Sequence, residues 1–217
     1  MSIYRCKRGL ALVLVMVCAA ALTGCFAKSK NTLSMARWED DVFVSEWAGF
    51  KLTVPEGWYV ATDEEIKETM NLGAEVIAGA TGEAAEKYKA VNAVYPLYIS
   101  KYPLDSEELN PNAMIVFEKL SALQNLLIKD ADSYIESTMQ QLEDLNIGYS
   151  TKKGDKVVIA GEEYSSMTAT LELIEDLSLI QRYYSRVHDG YIISFILTGI
   201  STNPEELDNI VKSIEKY

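Results

Sequence analysis

The chain has 217 residues, 48% hydrophobic and 24% charged, with 12 Gly, 5 Pro and 3 Cys, the composition of a folded protein with one sizeable core or two small ones. Its net charge is −12, with 20 Lys and Arg against 32 Asp and Glu. That balance lacks the basic stripe nucleic acid binding needs and disfavours anionic lipid and polyanions. It suits solubility first and, more sharply, a basic partner or a cation.

The first segment, "MSIYRCKR", carries Arg5, Lys7 and Arg8, and Gly9 to Leu22 then runs 14 residues without a charge. This run is shorter than the ~20 apolar residues of a spanning helix and within the range of a signal-peptide core. Leu22-Thr23-Gly24-Cys25 follows. Together these features resemble the signal and lipobox of bacterial lipoproteins, in which the cysteine thiol receives a diacylglyceryl group and the chain is cut just before it. Two or three acyl chains hold stably where one is marginal, at ~0.8 kcal/mol per buried methylene. The expected organisation is a signal peptide over 1–24, lipidation at Cys25, a tether over 25–40 bearing Lys28, Lys30 and Arg37, and a domain over 41–217. The protein then sits on the extracytoplasmic side of the cell membrane, held through its lipidated cysteine. Without residues 1–24, 17 cations face all 32 acids, a net charge of −15. Cys6 and Cys18 leave with the signal, so the mature chain has no disulfide and no thiolate metal site.

In the domain, two short strands are expected around Trp47-Ala48-Gly49; Phe50, Leu52 and Val54 alternate with Lys51 and Thr53, a half-buried strand ended at Pro55 and Gly57. Thr62 and Glu65 have capping-box spacing at the start of a helix striped by Ile66, Met70 and Ile77. A second helical start is expected near Glu83. Strands follow over Val94–Ser100 and Ala113–Leu120. Ile135, Met139, Leu142 and Leu145 mark the clearest helix, with Ser133 and Glu136 as a second capping box. The last third is strand-rich: turns fall at Lys153-Gly154-Asp155 and Ala160-Gly161, and Asp189-Gly190 closes a tight hairpin. Tyr191 to Leu197 is almost continuously apolar, a strand covered on both faces. Asn203-Pro204-Glu205-Glu206 opens a final helix whose stripe is Leu207, Ile210, Val211 and Ile214. The fold class is α+β, an α/β/α sandwich with a mainly antiparallel sheet flanked by helices.

The stretches "GFKLTVPEGW", "PNAMIVFEKL", "VVIAGEEYSSM", "QRYYSRVHDGYIISFILTG" and "DNIVKSIEKY" resemble the PsbP/Mog1-like family over residues 41–217, and in particular its small lipoprotein members. The resemblance implies the same sandwich and a habit of docking onto other proteins. It brings no catalytic residues.

Chemical motifs are sparse. His188 is the single histidine and sits directly before a turn, which suits a hairpin edge better than a catalytic base. Asp130, Asp132 and Glu136 lack the glycine and bidentate glutamate of a calcium loop and favour a helix start. Glu64-Glu65, Glu162-Glu163 and Glu205-Glu206 fit solvated faces rather than acid–base pairs. No phosphate-binding glycine motif occurs. Tyrosine supplies 13 of the 21 aromatics; Tyr95, Tyr98, Tyr102, Tyr183 and Tyr184 follow strand positions, where core packing accounts for them before an interface does. The expected function is a non-enzymatic binding or accessory lipoprotein, without cofactor or metal, docking on an envelope or secreted protein. The alternative is a surface lipoprotein that binds a small molecule or cation.

Overall fold

The computed structural model describes residues 35–81, 93–120, 126 and 128–217. The second helical start near Glu83 lies outside them. Two antiparallel sheets and three helices account for the described elements. The small sheet has the order β1-β2-β3-β12, formed by Arg37–Glu39, Val42–Ser45, Phe50–Thr53 and Ile214–Lys216. The large sheet has the order β4-β5-β6-β11-β10-β9-β7. Its strands are β4 (Tyr59–Val60), β5 (Ala93–Ser100), β6 (Asn112–Lys119), β7 (Tyr149–Lys153), β9 (Glu162–Ile174), β10 (Leu177–His188) and β11 (Tyr191–Ile200). A short β8 (Val157–Ile159) pairs with the start of β9. The helices are α1 (Asp63–Thr81), α2 (Ala131–Asp144) and α3 (Glu205–Lys212).

The alternation of strand side chains divides the core into two layers. On one face of the large sheet, Ile115, Phe117, Ile193, Phe195 and Leu197 meet Phe43, Phe50 and Leu52 of the small sheet and Leu207 and Ile210 of α3. Phe50 stands edge-on to Phe195, with centroids 5.0 Å apart. On the other face, Met114, Val116, Met167, Ala169 and Ile196 meet Ile135 and Leu142 of α2 and Ile66 of α1. β11, read as covered on both sides, is buried throughout its interior.

The structure is the expected α+β class with antiparallel pairing, but one outer layer is a sheet with a helix rather than helices alone. The cause is local. β2 and β3 are short strands with one strongly apolar face each, and that face is buried only by lying on the large sheet. The chain then leaves α3 after Lys212, and Ile214 pairs with Leu52 as a strand. Ile214 was expected as the last residue of a helical stripe; it keeps the same core contact from β12 instead.

Two caps differ from the sequence expectation. Thr62 and Glu65 form their box: Glu65 Oε2 accepts from the Thr62 N–H at 2.8 Å, and Thr62 Oγ1 accepts from the Glu65 N–H. At α2 the cap is Asp130, not Ser133: the Ser133 N–H donates to Asp130 Oδ1 at 2.8 Å, and Ser133 Oγ accepts from the Asp130 N–H. An ionised carboxylate is the stronger acceptor at a helix start, and Glu136 is released to pair with Lys153 at 2.8 Å. At α3, Pro204 is already helical (φ −69°, ψ −21°) and no side chain caps it, so Asn203 has no capping role.

Residues 37–39, within the stretch assigned to the tether, form β1, and Ser45 Oγ donates to the Met35 carbonyl at 2.5 Å. The turns Asp189-Gly190 and Ala160-Gly161 both have two consecutive positive φ angles, the conformation that matches strand twist in two-residue hairpins. Both lie at the same end of the large sheet, called here the hairpin end.

Candidate functional site

Cys25, the residue expected to carry lipid, lies outside the described residues. Only nine residues lie between it and Met35, ten steps that reach at most about 35 Å. Met35 is held to Ser45 beside the β2–β3 turn, so the chain enters the domain at the hairpin end. The C-terminus closes at the same place. The Tyr217 N–H donates to the Gly49 carbonyl, and its hydroxyl donates to Glu46 at 2.8 Å. Arg37 pairs with Glu46 and Glu39. The Tyr217 phenol, followed by Arg37, holds the Glu46 carboxyl below its usual range.

A cluster of rings and cations occupies this end. Trp47, from the β2–β3 turn, stands edge-on to Phe117, His188 and Tyr191, with centroids 5.3, 4.9 and 5.3 Å away. Arg186 lies beneath, 8% exposed. Its Nε donates to Tyr164 Oη at 2.9 Å, one terminal nitrogen donates to the Ala48 carbonyl, and the other donates to His188 Nδ1 at 3.2 Å. Arginine has only donors, so Nδ1 accepts and the His188 proton sits on Nε2. All three Arg186 partners are neutral acceptors, and among the described residues no carboxylate pairs with it. Lys119, opposite Tyr191 in register, stands over that ring at 6.0 Å and has no ion pair among the described residues.

His188 is therefore the hairpin-edge residue its position implied, oriented by Arg186 and Trp47, with Asp189 Oδ2 3.7 Å from its Nε2 and no serine partner among the described residues. Asp130 caps α2, and Asp132 and Glu136 share Lys153. Glu163 pairs with Lys156, Glu206 pairs with Lys101 at 2.7 Å, and Glu65 accepts from the Tyr59 phenol. The carboxylate pairs thus go to separate partners, and the described residues hold no cluster of three or more His, Cys, Asp or Glu able to take a metal. Tyr98, Tyr183 and Tyr184 are core residues; Tyr102 is exposed.

The end opposite the hairpins is built differently. The starts of α1 and α3, the end of α2, the β5–β6 loop and the β9–β10 turn all converge there. They bring Asp63, Glu64, Glu65, Asp105, Glu107, Glu108, Glu143, Asp144, Glu175, Asp176, Glu205 and Glu206 to one end. Val60, Tyr102, Leu109 and Ile174 are exposed among them. Acids with scattered apolar side chains therefore gather at the far end, whereas the end where the chain enters mixes rings and cations with Glu39, Glu46, Glu163 and Asp189. Sequence reading registered the acidic balance but not the gathering of acidic loops and helix ends at the far end, which depends on which loops share an end. It also missed Trp47, Arg186 and Lys119.

No family model matches the chain, and no curated protein does. Among solved structures, the chain is similar to LpqN of Mycobacterium tuberculosis, described as involved in cell envelope biogenesis, with 12% identity, coverage of 76% of this chain and 82% of that one, and a TM-score of 0.41. It is also similar to the cyanobacterial PsbP (CyanoP) of Synechocystis, with 13% identity, coverage of 90% and 99%, and a TM-score of 0.48. No helix among the described residues is long and apolar enough to cross a membrane.

Proposed function

We propose that this is a lipid-anchored extracytoplasmic accessory protein, non-enzymatic, that docks a basic partner protein of the envelope or secretory space on its acidic end. One observation carries the reading: the chain enters at one end of the sandwich, and the acids collect at the other, interspersed with Val60, Tyr102 and Leu109. An anchor at Cys25 holds the first end near the bilayer and leaves the second facing away from it. Charge complementarity sets encounter rate and partner choice, and the exposed apolar side chains supply the area that holds a complex.

Two measurements test this. Cys25→Ser is expected to leave unprocessed precursor that takes no lipid label; a variant that still matures and still partitions into detergent overturns the anchor. A photo-crosslinking residue at Leu109 is expected to capture a basic protein in the native membrane, and the same residue at Val158, at the hairpin end, is not. Capture is expected to fall when Asp105 and Glu108 are both changed to Lys. Equal capture from both ends, or capture indifferent to those charges, overturns the docking surface.

A further inference from the structure

We infer that Arg186, His188 and Asp189 form a proton-operated switch at the hairpin end: neutral His188 accepts from Arg186 and supports the Trp47 ring, and protonated His188 leaves Arg186 for Asp189 and releases that ring. On the extracytoplasmic reading above, the switch meets the external pH directly; it needs neither anchor nor partner to operate.

The bond between Arg186 and His188 Nδ1, 3.2 Å long, exists in one protonation state only. A guanidinium carries donors and no acceptor, so the imidazole it reaches is neutral. A second proton on the ring sets one N–H against another and one cation against another. Relief lies on the other side of the ring, where Asp189 Oδ2 is 3.7 Å from Nε2 and its carboxylate is exposed. Histidine is the side chain whose charge changes between about pH 5 and 8, and His188 is the only one in the chain. The groups that face it from neighbouring elements are Tyr191, its register partner on β11, Lys119 of β6 beyond the Tyr191 ring, and Tyr164 of β9, bonded to Arg186. Glu162 lies two residues before Tyr164 on the same strand face, and Lys216 of β12 lies beside Gly161.

The consequence passes through packing. Trp47 stands edge-on to the His188 ring at 4.9 Å, and the next residue, Ala48, offers its carbonyl to Arg186. Withdrawal of the imidazole removes one wall of the Trp47 contact and strips Arg186 of one of its three acceptors, so the Trp47–Ala48 side of the β2–β3 turn loosens. The other side stays fastened: Glu46, held below its usual range, remains ionised with Arg37 and Tyr217. The turn is therefore hinged at Glu46 and proton-sensitive at Trp47.

Trp47 reports the switch once Trp38 and Trp58 are removed. The full chain carrying W38F/W58F is held in detergent, and its emission is followed from about pH 8 down to about pH 5. A one-proton red shift of Trp47 emission is expected as pH falls, together with loss of the Nε2–H tautomer in the nitrogen NMR spectrum of the His188 ring. His188→Asn keeps an acceptor for Arg186 but takes no proton, so its emission is expected to stay at the neutral-pH value throughout. Asp189→Asn, at a turn position asparagine suits, removes the carboxylate that receives the ring and is expected to move the curve to lower pH. A transition that survives in His188→Asn, or an imidazole that titrates while Trp47 emission stays fixed, overturns the switch. A midpoint unmoved or raised in Asp189→Asn overturns Asp189 as the receiving group. An Nδ1–H tautomer at neutral pH overturns the Arg186 bond on which the switch turns.

Discussion

Removing one hydroxyl oxygen is expected to shift stability in opposite directions at two buried tyrosines. The Tyr149 ring packs against the Leu171–Leu179 cluster, as do Leu173 and Ile200, and its hydroxyl oxygen is enclosed with no hydrogen-bond partner among the described residues. Burial accordingly pushes its pKa up. An enclosed hydroxyl without a partner costs about 1–3 kcal/mol by protein mutational data. Tyr149→Phe removes that penalty and keeps the ring contacts, so it is expected to stabilise by up to that amount. Tyr183 is 1% exposed, and its hydroxyl donates to Gln181 Oε1 at 2.8 Å, while Gln181 Nε2 reaches Thr198 Oγ1. Tyr183→Phe strips a donor from a buried amide oxygen and is expected to destabilise by about 1–3 kcal/mol. In a domain of this size each kcal/mol moves Tm by about 2–4 °C. Urea midpoints at unchanged m-value, with calorimetric Tm, read both variants. If Tyr149→Phe loses as much stability as Tyr183→Phe, the Tyr149 hydroxyl has a partner and the reasoning fails.

Two further predictions concern packing and pH. A Cβ at Gly199 falls 2.9 Å from Leu207 Cδ2 and 3.1 Å from its Cγ, where α3 sits on β11; Gly199→Ala is expected to destabilise by about 1–3 kcal/mol, partly recovered by Leu207→Val, and strict additivity of the two changes argues against the contact. Glu65 and Asp130 are held below their usual range, the first by the Tyr59 phenol and then by Thr62, the second by the Ser133 backbone N–H. A folded value below the unfolded one means that each contribution is complete above the ordinary values of 4.5 and 3.8 and fades as pH falls through the lowered one. Glu65→Gln is expected to lower Tm at pH 7 and to flatten its fall below pH 4.5, and a Tm–pH curve parallel to that of the parent chain argues against the link.

What the sequence disclosed was what short-range chemistry controls. The Thr62–Glu65 box, the Asp189-Gly190 hairpin, the stripe of α2 and the doubly covered β11 each follow from residues within a dozen positions of one another. β1 and β12 escaped because three residues are too few to show a period of two. The α2 cap was placed three residues late because Ser133 and Glu136 have the same spacing as Asp130 and Ser133, and spacing alone does not rank a hydroxyl against a carboxylate. Arg186 was invisible for another reason. In "YYSRVH" it reads as one polar position of an alternating strand, and nothing local reveals that the β2–β3 turn, 138 residues earlier, closes over it with the Ala48 carbonyl. The gathering of acids at the far end is also a property of topology, since it depends on which loops meet.

The acids at the far end do not all have the same reason to be there. Those that open α1 and α3 are explained by the helix macrodipole, which favours carboxylates in the first turn wherever the helix points. α2 shows what happens when the same local need arises at the hairpin end: Asp132 and Glu136 are answered by Lys153. At the far end Lys101 answers Glu206, while Asp105 and Glu108 lie in a loop, where no macrodipole calls for them. Replacing these two by Lys therefore relieves like-charge repulsion and breaks no cap, so the folded domain is expected to keep or slightly gain stability. Loss of a basic partner in that same variant then reports on the surface and not on the fold. A helix-start variant such as Glu65→Gln cannot make that separation, because its carboxylate caps a helix as well as contributing to the field.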